Sequence, residues 1–286
     1  VTDYAWPGGR RSAACFSVDV DAESPYLWQH RKGLPRTIAT VEARRFGVRT
    51  GLWRLLDMLD RVKVRGSFFV PGVVADLHPE VLPALVERGH EVGLHGWLHE
   101  LVAETDIDTF RRALDRSLAL FEAQTGRPPR GFRSPAWEMT AEMIAALKDR
   151  DIAWDSSLSG FDHPYEIDGI TEVPIQWLTD DAIYFKFMGG GADKWPPVPA
   201  RQIGEAWRDE WDAGRHYGAL FMQTVHPWIS GRASRVAMLE RLWEEIAEAG
   251  DVWIATAGQI ADWHAETGHV GHRPVSADLR PLEARL

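Results

Sequence analysis

Two aspartates, two histidines four positions apart, one arginine and one late histidine are the residues with which this chain could do chemistry. They lie in Val18-Asp19-Val20-Asp21, His95-Gly96-Trp97-Leu98-His99, Arg133-Ser134-Pro135-Ala136-Trp137 and Val225-His226-Pro227. In an extended segment alternate side chains share a face, so Asp19 and Asp21 point the same way. Two carboxylates side by side are costly at neutral pH unless a cation lies between them or one holds a proton. On a helical turn, His95 and His99 present both imidazoles on one face at a separation that chelates one cation. Asp21 with these two histidines makes a three-ligand site with room left for water and substrate, as a catalytic divalent metal such as zinc requires.

Arg133 precedes Ser-Pro, which forces an extended exit from its strand and directs the guanidinium toward the same mouth. There it pairs with Asp19 and holds that carboxylate ionised. His226 ends the apolar run 219–225, is followed by Pro227, and reaches the mouth as a candidate acid. Asp155, just after Trp154, is a candidate orienter of that imidazole. Trp137, Pro135 and Tyr165 are candidate walls of a substrate cleft. Taken singly, each segment has an ordinary explanation: solvated strand-end carboxylates, a surface arginine, a turn-capping histidine, or core packing for any one of 14 tryptophans. The set, in this order, supplies ligands, base, base-orienter and acid, which is the equipment of a metal-dependent hydrolase. Two histidines and a carboxylate also describe a non-haem iron oxygenase or a metal-binding protein without catalysis. The presence of Asp19, Arg133 and His226 argues against both.

The elements that must position these residues follow from periodicity. Apolar runs at 14–20, 66–70, 91–94, 131–132, 152–154, 172–175, 219–225 and 252–255 predict short buried strands. Between them lie helical periods: Leu52, Leu55, Leu56 and Leu59; Val81, Leu82, Leu85 and Val86; Phe110, Leu114, Leu118 and Phe121; Met143 and Leu147; Val236, Leu239, Leu242 and Ile246. Such alternation predicts an α/β fold, a mostly parallel sheet covered by helices, in a single domain spanning 1–286. The stretch 156–199 breaks the rhythm with Trp177, Tyr184, Phe185, Phe187, Gly189-Gly190-Gly191 and Trp195-Pro196-Pro197, and reads as a long excursion forming a lid.

Composition narrows the partners. With 286 residues, 45% hydrophobic and 26% charged, the chain can bury a full core. A net charge of -10, with no run of basic residues, disfavours nucleic acid and anionic lipid as partners. No stretch of eighteen apolar residues occurs, and the first residues lack a secretory pattern, so the expectation is a cytoplasmic protein. Cys15, the single cysteine, has no internal disulfide partner.

As a set, the aspartates, H-x-x-x-H, R-x-P and strand-end histidine resemble the polysaccharide deacetylase, or NodB-homology, superfamily over about residues 10 to 265. Most members carry adjacent aspartates, whereas a valine separates them here, which leaves open which aspartate is base and which is ligand. The chain is similar to the branch of peptidoglycan-deacetylase-like proteins and cyclic-imide and ureide hydrolases, through Asp155-Ser-Ser-Leu158 and the His226 to Arg235 segment. The resemblance implies a deformed (β/α) barrel with fewer than eight complete units, and a homo-oligomer. It implies a metal held by Asp21, His95 and His99, with Asp19 as base, Arg133 as its partner and His226 as acid. The implied activity is hydrolysis of a non-peptide carbon–nitrogen bond, de-N-acetylation of a sugar, or alternatively opening of a small cyclic imide or ureide.

Overall fold

The computed structural model describes residues 4–35, 38–189, 196–267 and 275–285. Gly190, Gly191 and Trp195, expected at the tip of the excursion, lie outside the described residues. Among the described residues, nine strands build one sheet: β1 (Ser12–Asp19), β2 (Ser67–Val70), β3 (Glu91–Leu94), β4 (Gly131–Phe132), β5 (Trp154–Asp155), β6 (Tyr165–Ile167), β7 (Ile170–Glu172), β8 (Leu220–Val225) and β9 (Val252–Ile254). Their order is β6-β7-β5-β4-β3-β2-β1-β8, with β9 also on β1. Every pairing is parallel except the β6–β7 hairpin. The predicted strands recur within a few residues, and β6 is an addition that the run 172–175 did not announce.

β1 is the hub. β8 follows one edge from Ala13 to Val18, while the other edge is shared by β9 at Ser12–Ala14 and β2 at Ser17–Asp19. All eight of its residues are buried, as a strand covered on both faces must be. Ala14, Phe16 and Val18 face the layer of helices, whereas Ala13 and Cys15 join Phe69, Trp154 and Met222 inside the curl. The same alternation sends Ser17 and Asp19 inward, so the inner face grades from apolar at the start of the strand to charged at its end.

The surrounding helices arise from the apolar periods read in sequence. The helix Leu52–Val62 buries Leu52, Leu55, Leu56 and Leu59 and stops where Lys63 turns left-handed, at φ 57°. Asp106 accepts from Thr109 N to start Ile107–Thr125, and Thr140 does the same for Ala141–Lys148. Ala200–Tyr217, not signalled by the leucine pattern, buries Ile203, Trp207 and Trp211 instead. No helix among the described residues is long and apolar enough to cross a membrane.

The excursion begins with the β6–β7 hairpin and then crosses to the far side of the sheet. Val173 N bonds Asp155 O and Ile175 N bonds Leu158 O, beside β5. A few residues later Thr179 Oγ1 bonds Met222 O and Asp181 N bonds Thr224 O, beside β8. This segment bridges the two ends of the sheet path and turns an open curl into a ring.

One close approach fixes how the mouth is framed. The helix Ala39–Phe46 continues into a wide helical turn, Gly47–Gly51, pressed on the chain after β8. A Cβ at Gly51 would lie 2.0 Å from Pro227 O. Gly51→Ala is therefore expected to cost about 1–3 kcal/mol, the usual range for overpacking, read as a lowered urea midpoint. An unchanged midpoint would show that the contact yields freely.

Candidate active site

The carboxyl ends of β1, β3, β4 and β8 deliver the chemistry. Asp19 is the last residue of β1, and Asp21 lies just beyond it, where Ala22 turns the chain at φ 43°. His95 follows β3 directly. The expected helical turn between the histidines is not formed. His95 to His99 is a loop, with Gly96 at φ 69° and His99 at φ 61°. Glu100 holds it by accepting from both Trp97 N and Leu98 N at 2.9 Å. The rings still meet, with centroids 5.2 Å apart.

Asp21 Oδ1 lies 3.5 Å from His95 Nε2 and 3.7 Å from His99 Nε2. Those separations are long for hydrogen bonds and close to the roughly 3.4 Å edge of a tetrahedron with bonds of about 2.1 Å. His95 Nδ1 donates to Arg133 O at 2.8 Å, which leaves Nε2 free as a ligand. Asp21 Oδ1 is buried without a hydrogen-bond donor. An orphaned buried carboxylate oxygen facing two imidazole nitrogens fits a divalent cation. Burial would raise the Asp21 pKa, but the three histidines around it hold the carboxyl well below its ordinary range. Burial pushes His99 down to about 4, so that imidazole is neutral, as a ligand must be.

Arg133 is fully buried and lies 2.8 Å from Asp19 Oδ1. Its remaining donors reach Ser17 Oγ, Ser156 O and Ser156 Oγ at 2.9–3.0 Å, and its plane rests 4.0 Å over Phe69. Burial alone would raise the Asp19 pKa, yet Arg133, His95 and His226 bring it below the ordinary value, so the carboxylate is ionised and ready to accept a proton. Trp137 places Nε1 3.4 Å from Asp19 Oδ2 and packs on Trp177 at 4.3 Å. Pro135 is buried in the same turn, against Gly96.

His226 stands across the mouth, with Nε2 3.7 Å from Asp21 Oδ2. Its orienter is not Asp155. Asp181 accepts from His226 Nδ1 at 2.7 Å and from His226 N at 2.9 Å. Burial would lower this imidazole, but Asp181, with Asp21 and Asp180, raises it well above the ordinary histidine value. Asp180, beside it, is pushed to about 7 by burial and by Asp181. Sequence reasoning credited 156–199 with aromatics and passed over this pair; two adjacent acids inside an apolar stretch were the available signal.

Asp155 instead faces Glu172 across the β5–β7 pairing. Asp155 accepts from Ser157 Oγ, Glu172 accepts from Ser157 N and Leu158 N, and Ser157 Oγ in turn receives Ser134 N. Asp155 Oδ2 and Glu172 Oε2 are buried with no donor, the setting in which two carboxyls share a proton. Tyr165 is likewise displaced from its expected role: it is buried in the core, with its ring against Phe161 and its hydroxyl beside Gly160. A cleft of about 910 Å³ around His90, Arg127 and Gln259 holds none of these site residues.

Comparison with known proteins follows the same line. A polysaccharide deacetylase family model matches residues 45–153. A crystal structure from Mycobacterium smegmatis described as a polysaccharide deacetylase superposes with a TM-score of 0.87 at 35% identity, covering 95% of each chain. A peptidoglycan deacetylase-like protein of Gibberella zeae is 27% identical over 84% of this chain and 82% of its own. A peptidoglycan deacetylase of Helicobacter pylori is 26% identical over 86% of this chain and 94% of its own. The chain belongs to the polysaccharide deacetylase family. It is a hydrolase of amide carbon–nitrogen bonds in a metal-dependent family, and it carries a residue group that fits a metal.

The Asp155–Glu172 pair makes a pH prediction. Burial raises Asp155 to about 6 and Glu172 well above its ordinary value. A folded state that keeps a proton the unfolded chain releases near pH 4 has its full stabilisation below about pH 4 and loses it as pH rises through about 6 and beyond. Urea midpoints between pH 5 and 8 are expected to fall more steeply for the wild type than for Glu172→Gln, which mimics the protonated pair. Parallel slopes would remove the shared proton.

Proposed function

We propose that this chain removes the acetyl group from an N-acetylated sugar, with zinc held by Asp21, His95 and His99. The observation that carries the reading is the opposition of two proton-handling groups across one ligand cluster: Asp19 fixed by Arg133 on one side, His226 fixed by Asp181 on the other. When bound, zinc supplies Lewis acidity for the amide carbonyl and acidifies water. Asp19 takes the proton of the attacking water as its oxygen bonds the carbonyl carbon. His226 Nδ1 is committed to Asp181, so Nε2 delivers the proton to nitrogen as the carbon–nitrogen bond breaks, giving acetate and a free amine. Asp181 stabilises the imidazolium that makes this donor available.

A second reading, hydrolysis of a small cyclic imide or ureide, is favoured by burial. Asp19, Asp21, His95 and Arg133 are at most 6% exposed, and Trp177 packs on Trp137 near Asp19, which suits a small ligand. Acetate release from N-acetylglucosamine oligomers should be compared with ring opening of succinimide and hydantoin, alongside metal analysis. The proposal expects acetate release and zinc at one per chain. Imide turnover without acetate release transfers the conclusion to the second reading, and activity on neither overturns both.

The roles separate by mutation. His95→Ala is expected to lose metal and turnover together. Asp19→Asn should keep metal while kcat falls roughly 100- to 10,000-fold, the usual share of one proton transfer. Loss of metal in Asp19→Asn would mean that Asp19 and Asp21 exchange roles.

A further inference from the structure

Arg44 is a buried cation with no internal anion to answer it. It sits on the helix Ala39–Phe46, is 8% exposed, and makes no hydrogen bond or ion pair among the described residues. Its neighbours behave differently: Arg45 pairs with Glu23 and Glu42, and Arg49 pairs with Glu42. Arg44 Nε and Nη1 are both shielded from solvent and unpartnered. The guanidinium lies 4.8 Å from the ring centroid of Trp228, whose own Nε1 is also buried without an acceptor. Three buried donors on two adjoining side chains are left unanswered at this place.

That place adjoins the reacting centre. Burial acts to deprotonate Arg44, and the Asp21 charge acts against it, while Arg44 in turn helps to lower His99. Asp21 does not neutralise Arg44 by contact, because no hydrogen bond joins them and Asp21 Oδ1 faces the imidazoles. Trp228 is two residues after His226, which sets the pair beside the candidate acid. The donors are also preorganised. A Cβ at Gly47 would lie 3.0 Å from Trp228 N, and the Gly51 contact with Pro227 O locks the same two segments together.

We propose that Arg44 and Trp228 form a subsite that selects substrates bearing a carboxylate close to the scissile amide. It rests on the reading of this centre as an amide hydrolase and specifies which amides. A neutral carbonyl would satisfy one donor and leave the buried charge uncompensated, whereas a carboxylate offers two oxygens and the missing charge. Arg44 is thus a specificity residue that touches a part of the substrate away from the bond that breaks.

Two matched pairs of probes test this: N-acetylmuramic acid against N-acetylglucosamine, and dihydroorotate against dihydrouracil. Within each pair the partners differ by one carboxylate-bearing group. The kcat/KM ratio and the calorimetric affinity are measured for the wild type, Arg44→Gln and Arg44→Lys. The expected result is preference for the carboxylated partner in at least one pair. Arg44→Gln should lower that preference roughly 10- to 100-fold, chiefly through KM, with part restored in Arg44→Lys. The melting temperature of Arg44→Gln should not fall appreciably, since no hydrogen bond or ion pair is lost and the Trp228 ring contact is traded against release of an unpaired buried charge. Absence of discrimination in both pairs, an unchanged ratio in Arg44→Gln, or a lowered melting temperature with an unchanged ratio each overturns the proposal. If no probe is cleaved, the amide-hydrolase reading has failed for these substrates. Tighter calorimetric binding of the carboxylated partner, lost in Arg44→Gln, would still establish the subsite.

Discussion

A guanidinium taken fully out of water must have its donors answered, and Arg133 obliges four parts of the chain to converge on it. Its side chain draws in Asp19 and Ser17 from β1 and Ser156 from the exit of β5, with Phe69 of β2 beneath its plane. Its backbone carbonyl meanwhile receives His95 Nδ1. One residue therefore orients Asp19, the proposed base, through its side chain and sets the tautomer of His95, a proposed metal ligand, through its main chain. Breaking a buried pair of this kind typically costs about 3–5 kcal/mol, because the survivor is left charged and unpaired. The ring geometry at the mouth is a condition of stability before it is a condition of catalysis.

The parts legible in the sequence are those governed by local periodicity. The alternation of Ala13, Cys15, Ser17 and Asp19 against Ala14, Phe16 and Val18 names both layers of the core and points the carboxylate inward. The convergence of Asp19, Arg133, Asp21, His95, His99 and His226 follows from each lying at or just past a strand end. What escaped were partnerships set by tertiary closeness. Asp155 stands at a strand exit like the others, but Glu172 claims it through the β5–β7 register, information that no spacing carries. Asp181 reaches His226 because its segment runs beside β8. The histidine pair has helical spacing but uses two left-handed residues and the Glu100 side chain to bring its rings together, so the chelating geometry was readable while the backbone that achieves it was not.

Charge balance around the mouth is uneven and instructive. Asp19, Asp21, Asp180 and Asp181 crowd a buried space with Arg133, Arg44, His95, His99 and His226. Two of these carboxylates have direct partners, Arg133 for Asp19 and His226 for Asp181, while Asp21 Oδ1 faces His95 and His99 with no donor. Asp180, raised to about 7 by burial and by Asp181, relieves part of the remaining repulsion by holding a proton below that pH. Among the described residues, Asp21 Oδ1 and the Arg44 guanidinium are the charged groups here with buried polar atoms left unanswered.

The segment that bridges β7 to β8 has a consequence for how the molecule comes into being. Contacts such as β2 with β3 join stretches about two dozen residues apart, whereas β8 meets β1 across some two hundred residues of chain. Long closures are entropically late events, since the cost of bringing distant ends together is met before their contacts contribute. Asp181 and His226 belong to the last seam, while the His95 to His99 loop and Arg133 belong to earlier strands. A nascent or locally opened chain would then hold Asp21, His95 and His99 together beside an unseated His226, so the proposed capacity to capture a cation and the proposed capacity to cleave a bond would be acquired at different moments of folding.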